Sequence, residues 1–261
     1  MNVTENILTV PGGKMPYIRF GSGKRSCVIV AGMTLAGIEG LAEPVSMAYA
    51  ELTEDYTVYL FERTEDVPGG RSVSDMADDI ACAMKSLGIS DADFMGASQG
   101  GMIVLYVASR YPELVHSVVP VSSCARLNDA AKKTLMSWKT LAERGDKSAL
   151  VRDFFDRVYK YPNAEALSAA QNSVTDAQIK RFLHLADAAL NYDCTDELKK
   201  IKCPVFVVGV KNDRVLGAGS SGELAEMLGC DSFIYPDFEH GVYDEAPDFK
   251  KKLLGFYRSI R

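Results

Sequence analysis

Gly96-Ala97-Ser98-Gln99-Gly100 joins an apolar, strand-like run at residues 93–95 to a helix-like run at 101–110. A serine with a glycine two residues away on each side, at a strand-to-helix junction, has the spacing of a nucleophile elbow. The turn is tight enough that side chains at Gly96 and Gly100 would collide with neighbouring backbone. Its strain presents Ser98 at the end of the sheet. The following helix aims its N-terminal dipole and free N–H groups at the same place, where negative charge can be stabilised. The pattern occurs once in the chain.

Outward from this turn, strand and helix patterns alternate. Residues 17–20 and 27–31 read as strands, joined by Gly21-Ser22-Gly23-Lys24-Arg25. That turn is no phosphate loop, because a strand and not a helix follows it. A helix is expected over 38–52 and a strand over 57–61. An amphipathic helix is expected over 74–87, with Ser74 as its N-cap and Gly88 as its stop. A strand at 118–121 follows the elbow helix. From 126 to 193 the pattern is helical throughout. Strands return at 204–210 and 232–235, each followed by a helical pattern, at 220–228 and 248–260. The expectation is an α/β fold: a mostly parallel central sheet with helices on both faces. Residues 1–125 and 194–261 form its core domain. The helical block 126–193 is expected as an inserted cap over the carboxyl ends of the strands, where ligands bind in open α/β sheets.

Composition fits one large domain. The chain has 261 residues, 47% hydrophobic and 25% charged, with a formal charge of −6. That balance argues against nucleic acid as a partner, since phosphate binding leans on Lys and Arg clusters. No apolar run is long enough to span a bilayer, and residues 1–5 lack a signal peptide's basic start and apolar core. The six scattered cysteines have no CxxC spacing and read as reduced thiols, which makes the cytoplasm the expected location.

A serine hydroxyl needs an adjacent base, and the base needs an orienting acid. Only three histidines are available. His240 lies a few residues after the last strand, at the carboxyl edge of the sheet. His116 sits at the opposite edge and reads as structural. His184 lies inside the helical block and reads as packing or solvated. Asp213 follows the apolar strand 205–210 and so lies at the correct edge, whereas Asp237 and Glu239 are too close to His240 to orient its ring from behind. The order Ser98, Asp213, His240, each after a strand, gives a candidate catalytic set. An oxyanion hole needs two donors. The backbone N–H of Gln99 is one, and that of Met33, in the loop after strand 28–30, is the other. Gly32 lets substrate approach that loop.

With these residues assembled, the chain resembles the α/β-hydrolase-fold serine hydrolases, esterase-like and capped. The resemblance rests on the elbow, on Gly209 with Asp213 four residues later, and on His240-Gly241, and it covers nearly the whole length. It implies a triad of Ser98, Asp213 and His240 and no cofactor. Two departures stand out. Many relatives place His-Gly where this chain has Ala31-Gly32, so the bonds that order this loop must differ. Glu62-Arg63-Thr64-Glu65 stands where relatives are Gly-rich. Relatives that open epoxides or remove halide usually carry Asp at the elbow, so Ser98 favours acyl transfer to water.

The expected substrate is a small, apolar carboxylic ester. Gly32, Thr34, Trp138, Phe154 and Phe182 are its candidate pocket residues, Phe155 and Tyr159 being further aromatics of the cap. The histidines lack paired ligand spacing, so no metal is expected. Other serine-triad reactions remain open: lactone or thioester hydrolysis, C–C bond hydrolysis, peptidase or acyltransferase chemistry. So does a ligand-binding or signalling protein that keeps the fold. Function lives in the pocket, and oligomeric state has no signal here.

Overall fold

The computed structural model describes residues 3–261. Eight strands form one sheet: β1 (Thr4–Val10), β2 (Gly13–Gly21), β3 (Arg25–Val30), β4 (Tyr56–Phe61), β5 (Ala92–Ala97), β6 (Val115–Val121), β7 (Phe206–Val210) and β8 (Asp231–Tyr235). Their spatial order is β1-β2-β4-β3-β5-β6-β7-β8. The pairs β1–β2 and β2–β4 are antiparallel, and every other pair is parallel. β5, which leads into Ser98, is central, and all six of its residues are buried. A strand packed on both faces reads as a continuous apolar run rather than an alternation.

One sheet face is covered by α2 (Val73–Ser86), α3 (Gln99–Arg110) and α8 (Ser220–Leu228), the other by α1 (Ala42–Ala48) and α10 (Phe249–Ser259). Between β6 and β7 the chain forms four helices: α4 (Asp129–Glu143), α5 (Lys147–Val158), α6 (Ala164–Ser173) and α7 (Asp176–Leu190). It leaves and rejoins the core at one point, where Arg126 and Asp193 form an isolated antiparallel bridge. Each of the four helices starts at a side-chain cap. Asn128, Asp146, Asn163 and Thr175 accept from the amide three residues on, at 2.9, 3.0, 2.9 and 3.2 Å. Such caps satisfy donors the first turn would otherwise leave bare.

The structure corrects several local expectations. β1 carries no apolar alternation strong enough to announce it. It is an edge strand whose Thr4 and Glu5 face solvent, and its register with β2 comes from pairing. The helix expected over 38–52 is only the seven residues of α1 followed by a 3-10 turn at Ala50–Leu52. Gly37 and Gly40 have φ of +83° and +73°, which breaks any helix before it starts. The N-cap of α2 is Ser72 rather than Ser74. Ser72 and Asp75 form a reciprocal capping box that Ser74, two residues too deep, cannot make. β6 starts at Val115, earlier than expected, so His116 lies within the strand.

Candidate active site

Ser98 stands at φ +53° and ψ −119°, a conformation non-glycine residues rarely hold. The surrounding atoms impose it. A Cβ on Gly96 would lie 2.4 Å from the Gly100 carbonyl oxygen, and one on Gly100 would lie 2.1 Å from that of Val30. β5 and α3 can therefore meet at this angle only through glycine. The turn is tied down by the Ser98 amide, which donates to the Val121 carbonyl at 2.8 Å. Its carbonyl accepts from the Ser123 hydroxyl at 3.0 Å. Val121 and Ser123 thus brace the turn.

β7 and β8 deliver two further side chains to the same edge. Asp213 follows β7 and is 6% exposed; His240 follows β8 and is 2% exposed. His240 Nδ1 and Asp213 Oδ2 are 2.8 Å apart. Asp213 Oδ1 accepts the amides of Val215 and Leu216, both at 2.8 Å. The carboxylate is thus held on one side by backbone and offers its other oxygen to the ring. With Nδ1–H donating to Asp213, Nε2 is left as the basic nitrogen. Neither Asp237 nor Glu239 hydrogen-bonds to the ring, whose side-chain partner is Asp213. Asp237 is exposed, and the Glu239 Oε2 atom has no partner.

Ser98 and His240 line one cavity of about 30 Å³ with Met33, Gln99 and Tyr243. The helical insertion closes it through Leu135, Trp138, Phe154, Val158 and Ala189. The amides of Met33 and Gln99 donate to no protein acceptor among the described residues. Gln99 holds the first helical position, where an amide has no intrahelical partner. Its side-chain amide reaches out of the elbow to the Leu185 carbonyl of α7, at 2.8 Å. A larger depression of about 580 Å³ at Glu5, Ile7 and Ile38 lies by the edge strand and brings no nucleophile and base together.

The remaining candidates fall in distinct places. Phe182 packs behind the cavity wall, its ring 6.1 Å from Trp138 and 6.3 Å from Phe154. Gly32 lies beside the serine rather than on the cavity wall, its missing Cβ 3.3 Å from the Ser98 Cβ. Thr34 turns away and donates to Glu62 at 3.1 Å. The Phe155 and Tyr159 rings pack at a tilt with centroids 5.6 Å apart, and Tyr159 sits against Gly241. His184 Nδ1 meets the Val67 carbonyl at 2.6 Å, and His116 pairs with Asp91 at the far edge.

A buried ionic group that sequence reasoning did not assign holds the Met33 loop. Arg63, 2% exposed, donates to the carbonyls of both Ala31 and Gly32. Glu62 pairs with Arg63 at 2.9 Å and with Arg181 of α7 at 3.0 Å. Arg181 also donates to the Thr64 carbonyl at 3.1 Å. Burial alone would raise the Glu62 carboxyl, but the two guanidinium groups overcome it and hold the group below its ordinary value. Burial pulls Arg63 down to about 10 against the opposing pull of Glu62. These residues order the loop that lacks His-Gly. The available signal was a charged pair placed directly after an apolar strand; nothing in the sequence pointed to Arg181.

The family model for the alpha/beta hydrolase fold matches residues 50–161. A Rhizobium rhizogenes protein named "Putative carbamate hydrolase RutD" is 31% identical over 202 residues, covering 74% of this chain and 77% of that protein. The 3-oxoadipate enol-lactonase 1 of Acinetobacter baylyi is 21% identical over 268 residues, covering 98% and 97%. The crystal structure of the enol-lactonase from Burkholderia xenovorans LB400 superposes with a TM-score of 0.83 at 19% identity, over 97% of this chain and 100% of that one. The chain belongs to the α/β-hydrolase family. Its activity is accordingly that of a hydrolase.

Proposed function

We propose that this protein is a serine hydrolase that cleaves a small, apolar carboxylic ester through an acyl-enzyme, with Ser98, His240 and Asp213 as its triad. The observation that carries the reading is the 2.8 Å contact between a backbone-anchored Asp213 and a buried His240 that lines the same cavity as the strained Ser98. His240 Nε2 takes the Ser98 hydroxyl proton as the oxygen attacks the acyl carbon. Asp213 stabilises the imidazolium that forms. The Met33 and Gln99 amides hold the oxyanion. His240 returns its proton to the leaving alcohol, then activates water to release the acid. Residues 126–193 act as the cap, and the partner is a small molecule.

Cavity size narrows the acyl group. The cavity is small, about 30 Å³, and walled by Trp138, Phe154 and Val158, so a short acyl chain suits it best. With p-nitrophenyl esters, acetate turns over faster than octanoate, and Ser98→Ala lowers kcat by at least about 10⁴-fold while the fold survives. Ester turnover that persists in the Ser98→Ala protein contradicts the reading.

A carbamate is the second reading. The Rhizobium relative's name favours it, and a carbamoyl group is as compact as an acetyl group. Parallel assays with aryl acetate and aryl carbamate separate the two.

A further inference from the structure

Tyr243 is a polar group at this site to which the triad chemistry gives no task. It lies three residues past His240, on the short helix α9 (Val242–Glu245), and lines the cavity with Ser98. A Cβ built on Gly32 would stand 3.3 Å from the Ser98 Cβ and 3.5 Å from the Tyr243 hydroxyl. The nucleophile and the phenol therefore flank the same glycine, the residue before the free Met33 amide. The backbone of Tyr243 is anchored, its carbonyl accepting from Lys250 Nζ at 2.6 Å.

The hydroxyl is not anchored. Among the described residues no protein group bonds to it, and it is not one of the fully enclosed unpartnered atoms. Several other tyrosines in the core have internal partners, although the enclosed Tyr257 hydroxyl has none. Tyr56 donates to Asp93 at 2.7 Å, Tyr235 to Asp248 at 2.8 Å and Tyr192 to the Cys124 carbonyl at 3.1 Å. A tyrosine hydroxyl in an apolar setting normally finds such a partner. One left open toward a reactive serine is matched to a group that arrives with the substrate.

We propose that the Tyr243 hydroxyl is a third donor to the substrate's acyl oxygen, joining the Met33 and Gln99 amides as that oxygen becomes negative. The inference rests on the Ser98 reading above. Burial first, and then the Asp244 carboxylate, push the phenol well above its ordinary value, so it stays a donor through the neutral range. A donor fixed before reaction stabilises charge most where it develops, so its effect falls on kcat rather than on KM.

The test is Tyr243→Phe, which removes one oxygen and leaves the ring. With p-nitrophenyl acetate the expected result is a fall in kcat of about 10²-fold, a KM within twofold of wild type and an unchanged thermal midpoint. The midpoint holds because no bond within the protein is lost. Labelling of Ser98 by a fluorophosphonate slows in parallel. A kcat within twofold of wild type overturns the proposal. So does a raised KM at unchanged kcat, which would make the hydroxyl a ground-state contact only. The wild-type and Ser98→Ala proteins are run beside it. If both are equally inert to ester and to probe, the serine reading falls, and this inference with it.

Discussion

Asp213→Asn lowers kcat for ester hydrolysis by about 10⁴-fold and leaves KM and the folded structure nearly intact. The reason lies in which oxygen does what. Oδ1 is occupied by the Val215 and Leu216 amides, so an asparagine keeps its carbonyl oxygen there and turns its NH₂ toward His240. An NH₂ facing Nδ1 favours the tautomer with the proton on Nε2. That nitrogen then faces Ser98 as a donor and cannot take its proton. Stopped-flow or steady-state turnover of p-nitrophenyl acetate measures the loss. A loss below tenfold would mean that Asp213 does not set the tautomer of His240.

Arg63→Met has the largest expected effect on stability. Arg63 and Glu62 are each 2% exposed, and removing one partner strands the other charge where water does not reach. Breaking such a pair typically costs about 3–5 kcal/mol. Arg181 remains beside Glu62 at 3.0 Å, so the lower end of that range applies. Urea unfolding midpoints read the change. The double variant Glu62→Gln/Arg63→Met recovers part of it, because the stranded carboxylate is gone. The same carboxylate sets an acid limit in the wild type. Its folded pKa is depressed, so its contribution is fully present above the ordinary glutamate value of about 4.3 and is lost as pH falls through the lower folded value. A single-variant loss under about 1 kcal/mol would contradict the buried-pair account.

Much of this architecture is legible in the sequence because it is dictated locally. The elbow needs glycine at 96 and 100 for reasons of contact distance, and those contacts appear as 2.4 and 2.1 Å clashes for any added Cβ. Asp213 and His240 could be found because each must follow a strand, and apolar runs mark the strands. The helical block was visible from its period. What could not be read is set by tertiary contact. β1 exists only through its pairing with β2. Arg181 reaches Glu62 across 119 positions of chain, and no local pattern signals such a meeting. The aromatic candidates show the same limit. Trp138, Phe154 and Phe182 share one cluster, yet only the first two line the cavity, and no helical period decides which ring faces inward. Thr34 looked like a substrate contact from its place beside Met33 but turns to Glu62, a partner defined by the fold.

The central claim is that Ser98 is a nucleophile activated by His240. Incubating the wild-type, Ser98→Ala and His240→Ala proteins with a fluorophosphonate probe and measuring intact and peptide masses tests it most directly. The account predicts one adduct on wild type, located on Ser98, with none on Ser98→Ala and labelling slowed by orders of magnitude on His240→Ala. A folded wild-type protein that takes no label, or one labelled equally in all three forms, would contradict it.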